Sequence, residues 1–408
     1  MTSSYASLSR EQLAILVPEL LLTGHLIDRS GMAWALAAFG QQEMAQIAIE
    51  EWAGASPIYT RRMQQALAFV GTDVTTIFKG MQLEIGAPPQ FMDFRYWVQD
   101  ANHGGFHLDH CGALLDVEPM GEVHVKAMCH DIEDPTFDAT AVATNPKAQM
   151  RPIHRPPRLP ADRNPHCSWT VTIDEAHPSV EAIPALAVIS AKRVATLELS
   201  PIDPTEQGLG NYSGPLLSDL DFAGFSHSAL VRLADEVCVQ MHLLVLSFQQ
   251  AVRARATDRA QADDIVTKQL TGIAGIMAER LCRALGCGDD ESAAVQVLKL
   301  HPLLNPSSYV EASFTEVTVT VRPSPAHEDE AWISRCGPAS VRPLQAIVQA
   351  VNPTLDVEVH GAADDWSAHL TRRREPAKEL DEVTITRFSK GASFTFSPRR
   401  SLPLTVVG

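Results

Sequence analysis

Residues 13–34, LAILVPELLLTGHLIDRSGMAW, and residues 230–251, LVRLADEVCVQMHLLVLSFQQA, read as two versions of one helical stretch. Glu19 and His25 in the first stand opposite Glu236 and His242 in the second, at an offset of 217. The agreement continues: 52–67, WAGASPIYTRRMQQAL, aligns with 270–285, LTGIAGIMAERLCRAL, at an offset of 218. Gly54 meets Gly272, Ile58 meets Ile276, Arg62 meets Arg280, and Ala66-Leu67 meets Ala284-Leu285. Gly71, Asp73 and Leu83 then fall opposite Gly288, Asp290 and Leu300. A nearly constant offset over about 70 residues marks an internal duplication. Glu19 and His25 point to different faces of their helix, and their presence in both copies assigns them a structural role.

Each copy opens with helices. Apolar residues recur at helical spacing over 9–39 and 41–69, and SREQ at 9–12 has the form of a capping box. The character then changes to β-branched and aromatic alternation in QFMDFRYWVQD (90–100), CSWTVTID (167–174) and SSYVEASFTEVTVTVR (307–322). DEVTITRFSKGASFTFS (381–397) reads as a hairpin turning at Lys390-Gly391. Short helices are expected at 111–130 and 336–352. The expected fold is therefore α+β, each half a helical N-terminal part followed by an antiparallel sheet with a packed helix. The first repeat spans 1–200 and the second 216–408, joined by the Pro/Gly-rich linker PIDPTEQGLGNYSGP, 201–215.

Composition narrows the function classes. The chain has 408 residues and a net charge of −16, which opposes general binding to nucleic acid or to an anionic membrane surface. The most apolar run carries Pro18, Glu19, His25, Asp28 and Arg29, too many polar interruptions for a membrane span. MTSSYASLSREQ lacks the basic and apolar regions of a secretory signal, and seven cysteines without a tight framework suit reduced thiols. A cytoplasmic location follows as the expectation, with no membrane and no nucleic acid among the partners and a homodimer open to it.

The duplication supplies an internal control for chemistry. Residues 103–177 hold eight of the fifteen histidines and three of the seven cysteines. The matching part of the second copy has only Cys336, His327, His360 and His369, scattered. Structure common to both halves does not require the enriched set. Cys111, Cys129 and Cys167, with His107, His110, His130, His154 and His166, are the candidate ligands for zinc or iron. On a continuous helix Cys111 and Cys129 would lie about 27 Å apart. They meet only if the chain breaks, and EPMGE (118–122) offers a break. Asp131, Glu133 and Asp134 are candidate acid/base groups, with Asp138 nearby. RPIHRPPRLPADRNPHC (151–167) adds a proline-stiffened strip of arginines, of which Arg151, Arg155 and Arg158 are candidate clamps for a carboxylate. A solvated linker is the plainer reading of that strip, and turn or cap roles are the plainer reading of the acids.

The order helices, HLDHC, MCHDIEDPTFD, HCSWTVTI resembles the L-2-amino-thiazoline-4-carboxylate hydrolase-like proteins over roughly residues 40–175. Cys111, Cys129 with Asp131, and Cys167 take the places of that family's cysteine positions, while Trp169 replaces its Phe and 138–165 has no counterpart. The pattern is also similar to 4-vinyl-reductase-type ligand-binding domains. The first resemblance implies metal-dependent hydrolysis of a C–N or C–S bond in a small anionic, carboxylate-bearing substrate. A non-haem iron oxygenase is the alternative enzyme. A small-molecule sensor, or a structural pseudo-dimer without catalysis, is the alternative of a different class.

Overall fold

The computed structural model describes residues 2–404 and 406. The first half runs α1 (Arg10–Ala66), α2 (Val74–Met81), β1 (Met92–Val98), β2 (His103–Cys111), α3 (Gly112–Val117), α4 (Glu122–Lys126), α5 (Glu133–Val142), β3 (Ala148–His154), β4 (Cys167–Ile173) and α6 (Pro184–Ser190). The second runs α7 (His227–Arg253), α8 (Arg259–Leu285), α9 (Glu291–Leu300), β5 (Ala312–Phe314), β6 (Thr318–Val321), α10 (Pro325–Glu328), α11 (Arg342–Val351), β7 (Leu355–Gly361), β8 (Trp366–Arg372) and α12 (Asp381–Thr386). Two separate antiparallel sheets form, in the orders β1-β2-β4-β3 and β5-β6-β8-β7. The fold is α+β in two halves, and the two sheets share one topology.

The local signals act as elementary chemistry requires. Ser9 and Gln12 close the capping box at the start of α1. Asp73 caps α2 by accepting from Thr76 N, and its repeat partner Asp290 caps α9 by accepting from Ala293 N. Within α1 the helix is interrupted at Gly40, whose φ of 81° lies where a side chain would be strained. This is the break expected between 39 and 41, and the second half separates α7 from α8 at the corresponding place. Among the described residues no helix is long and apolar enough to cross a membrane.

The strand expectation for 307–322 contracts to the β5–β6 hairpin. That for 381–397 is corrected: the segment is α12 followed by a 3₁₀ turn, Lys390–Ser393. Val383 and Thr386, one helical turn apart, dock on α8 where glycines leave room. A Cβ on Gly272 would lie 2.3 Å from Thr386 Oγ1, and one on Gly275 2.7 Å from Val383 Cγ2. Burial against α8 overrides the alternating pattern, since a hairpin there could not fill those gaps.

The halves clasp each other with matched contacts. α1 packs along α7 and α8. Arg280 of α8 pairs with Glu19 of α1 and donates to the carbonyls of Gly391, Ala392 and Phe394. Arg62 of α1 pairs with Glu236 of α7 and donates to the carbonyls of Ala195 and Leu197. The C-terminal segment of each half likewise lies on its neighbour. Asp329 accepts from the Arg193 and Val194 amides, while Asp116 accepts from Ser389 Oγ and the Lys390 amide. The linear borders at 200 and 216 therefore divide the sequence, not the packing.

Candidate functional site

The expected metal ligands are gathered only in part. Among the described residues no group of three or more His, Cys, Asp or Glu side chains converges in a geometry able to hold a metal ion. The chain does break where expected, at Pro119 and Gly121, and a π-helical turn at Ala127–Ile132 carries Cys129. Cys129, Cys111 and Cys167 are all buried and lie near enough to influence one another and Glu133. Burial, reinforced by Glu133, pushes all three thiols up, Cys111 to about 12.

Three of the histidines use one ring nitrogen on a backbone group. His110 Nδ1 donates to the Phe91 carbonyl, His130 Nε2 to the Pro156 carbonyl, and His166 Nδ1 accepts the Cys111 amide. His107 lies beside Asp109 at 3.3 Å, and His154 sits at the end of β3, half-buried. The arginine strip is equally committed. Arg151 pairs with Asp138, Arg155 with Asp134 while covering the Trp169 ring, and Arg158 forks onto Glu118. These pairs staple the strip to the helical layer α3–α5, Arg151 and Arg155 through Nη1 and Arg158 through Nε and Nη2. Asp131 is exposed and Asp134 is held by Arg155. Of the three expected acids only Glu133 reaches the cavity described next.

That cavity, of about 590 Å³, lies between the two segments of α1, the turn leading into β1, and the layer α3–α5. Residues 385–390 of the second half complete its rim. His25, Asp28, Arg29, Met32 and Leu36 form one helical stripe along its wall, at spacings of three and four. Six of the eleven methionines line it, Met32, Met44, Met81, Met92, Met120 and Met128, giving a wall that deforms easily around an apolar guest. Trp52, Phe94, Ile132 and Phe137 complete the apolar surface.

Polar groups enter this apolar wall without finding protein partners. His25 Nε2, Asp28 Oδ1, Arg29 Nε, Gln41 Nε2, His124 Nδ1 and Glu133 Oε2 are all buried and unpaired. Orphaned buried polar atoms are uncommon and need a reason. Arg29 binds Asp28 at 3.1 Å and approaches Asp116 at 3.8 Å. His25 Nδ1 lies 3.2 Å from the Ile85 carbonyl, which can only accept, so the ring presents Nε2 to the cavity as an acceptor. Burial, and then Arg29, push the His25 imidazole down to about 3, so it stays neutral. Burial pushes Glu133 up to about 8, and pushes Glu84, which accepts from Thr60 Oγ1, up to about 7.

Behind Asp28 sits Glu51, fully buried, neither of whose oxygens has a protein hydrogen-bond donor. Burial pushes its carboxyl well up, and Asp28 beside it pushes further, while burial also raises Asp28 against the pull of Arg29. Two carboxyl groups so placed disfavour ionisation of both together. Sequence reading passed over this group, treating Asp28 and Arg29 only as interruptions of an apolar run. The signal lies in the repeat: the positions opposite Asp28, Arg29 and Glu51 are Val245, Leu246 and Gln269, whereas the paired Asp116 and Asp329 occur in both halves. No family model, curated protein or solved structure matches the chain.

Proposed function

We propose that the first half is a receptor site for one small, largely apolar molecule held in the 590 Å³ cavity. The volume falls in the range of ligand pockets, roughly 300–1,000 Å³. The observation that carries the reading is the set of orphaned polar atoms, from His25, Asp28, Arg29 and Glu133 among others, converging on an otherwise apolar, methionine-rich wall. A folded protein tolerates such atoms where a partner outside the chain completes their hydrogen bonds. The second half supports the same reading by contrast, because Val245 and Leu246 replace the acid and the arginine.

An acid–base enzyme acting on the bound molecule is the second reading, favoured by the Asp28–Glu51 pair. A carboxyl that keeps its proton near neutrality donates it, and its ionised neighbour takes one up. Hydrolysis of a C–N or C–S bond belongs to this reading, with Asp28 facing the substrate and Glu51 tuning it from behind. The zinc or iron expected from the sequence is not used in either reading, whose groups are those that line the cavity.

Titration with the neutral fluorophore N-phenylnaphthylamine tests the site. One equivalent should bind to the full chain, and the cavity-filling variants Leu36→Trp and Thr136→Phe should lose it while keeping the native circular dichroism. Binding undiminished in both folded variants, or no binding at micromolar concentration, would defeat the proposal.

A further inference from the structure

We infer that the molecule bound in the cavity carries a protonated amine, seated between His25 Nε2 and Asp28 Oδ1 on the α1 wall. The inference rests on the reading of the cavity as a small-molecule site and names the chemistry of its occupant.

His25 and Asp28 are one helical turn apart, so their side chains share a face. Both are more than nine-tenths buried, both line the cavity, and both present an unpaired acceptor. Two acceptors without a donor call for a group with several N–H bonds, and an ammonium has them. A hydroxyl has one, and a carboxylate none. Charge points the same way. Asp28, Glu84, Asp116 and Glu133 line the cavity, against Arg29 and the exposed Lys390 at the rim, and a cation bound among them would draw the raised Glu84 and Glu133 carboxyls back to their charged form. The charge of Arg29 is met by Asp28 at 3.1 Å and Asp116 at 3.8 Å, although its Nε has no hydrogen-bond partner.

The rest of the wall suits the same guest. Trp52 lines the cavity with its ring centroid 5.9 Å from that of His25, so an aromatic ring lies beside the proposed seat of the cation. Beyond it Met32, Met44, Met128, Leu36 and Phe137 offer only apolar surface. An ammonium head on an apolar body fits this distribution. An anionic substrate, expected from the sequence, would bring its charge against the acidic wall.

Isothermal titration calorimetry on the full chain near neutral pH distinguishes the cases, using phenylbutylamine, phenylbutanol and phenylbutyrate as probes of one shape. The amine should bind at least about tenfold more tightly than the alcohol, with the carboxylate weakest. Asp28→Asn and, separately, Glu133→Gln should each shrink the gap between amine and alcohol. The second variant keeps the test informative if the first fails to fold. An alcohol as tight as the amine, a carboxylate tighter than both, or a gap unchanged in the folded variants would overturn the inference. If N-phenylnaphthylamine still binds in any of these cases, the cavity reading survives and only the charge of its ligand is wrong.

Discussion

Glu19 holds Arg280 at 2.6 Å across the two halves of the chain, and Glu236 holds Arg62 at 2.9 Å in the reciprocal contact. Arg280 is almost fully buried, and its remaining donors reach three carbonyls of the C-terminal segment. Desolvation raises Glu19 and lowers Arg280, each opposed by the partner's charge. Such a pair adds little net stability over an apolar one, yet it fixes which segments meet, because either charge alone is costly to bury.

Arg280→Met should therefore destabilise the protein by about 3–5 kcal/mol, since it strands Glu19 and three carbonyls. The double variant Arg280→Met with Glu19→Leu should lose less than the two single losses added together. Urea denaturation of the four proteins checks this, and strict additivity would show that the two groups are not coupled.

Glu133 predicts a pH effect with a definite sign. Its carboxyl is pushed up to about 8 by burial, so the folded chain keeps a proton that the unfolded chain loses from about pH 4.5 upward. Stability from this group is intact below that point and drains away as pH rises towards 8. Glu133→Gln should thus raise the melting temperature more at about pH 8.5 than at about pH 5. An equal shift at both values would mean that Glu133 titrates normally.

Glu51→Gln should stabilise the fold by about 0.5–2 kcal/mol, in the manner of active-site groups kept at a cost to stability. The amide removes a carboxyl that lies against Asp28 in a fully buried position. Denaturant midpoints at neutral pH give the answer, and a clear loss of stability would instead make Glu51 a structural anchor.

Arg155→Ala and Arg158→Ala should leave occupancy of the cavity unchanged, because their guanidinium groups are bound to Asp134 and Glu118. These pairs are partly exposed, so each loss should be about 0.2–1 kcal/mol. Probe affinity and thermal melts on the same samples separate the two effects. A tenfold drop in affinity with unchanged stability would restore the arginines as ligand clamps.

Thiol reactivity tests the placement of the cysteines. Cys282 and Cys287 are half-exposed near the end of α8, while Cys111, Cys129, Cys167, Cys238 and Cys336 are buried. A thiol-specific disulfide reagent should titrate two groups promptly in the native protein and the rest only after unfolding. Rapid modification of Cys129 would contradict its burial and its raised pKa.

By itself the sequence determined the duplication, the α+β class and most element positions, because those rest on local periodicity and on caps such as Ser9, Asp73 and Asp290. It also marked the break at Gly121 and the interruption at Gly40, where a glycine escapes the strain of a positive φ. The tertiary structure alone decided what 381–397 becomes, since the space beside Gly272 and Gly275 selects a helix over a hairpin. It alone decided the fate of the charged residues. Arg151, Arg155 and Arg158 found carboxylates on the packed helical layer, whereas Asp28 and Glu51, on two segments of α1 separated by Gly40, were brought together in a buried position. Which charge is neutralised and which is left waiting depends on distance through space and on burial, and neither is written in the order of residues.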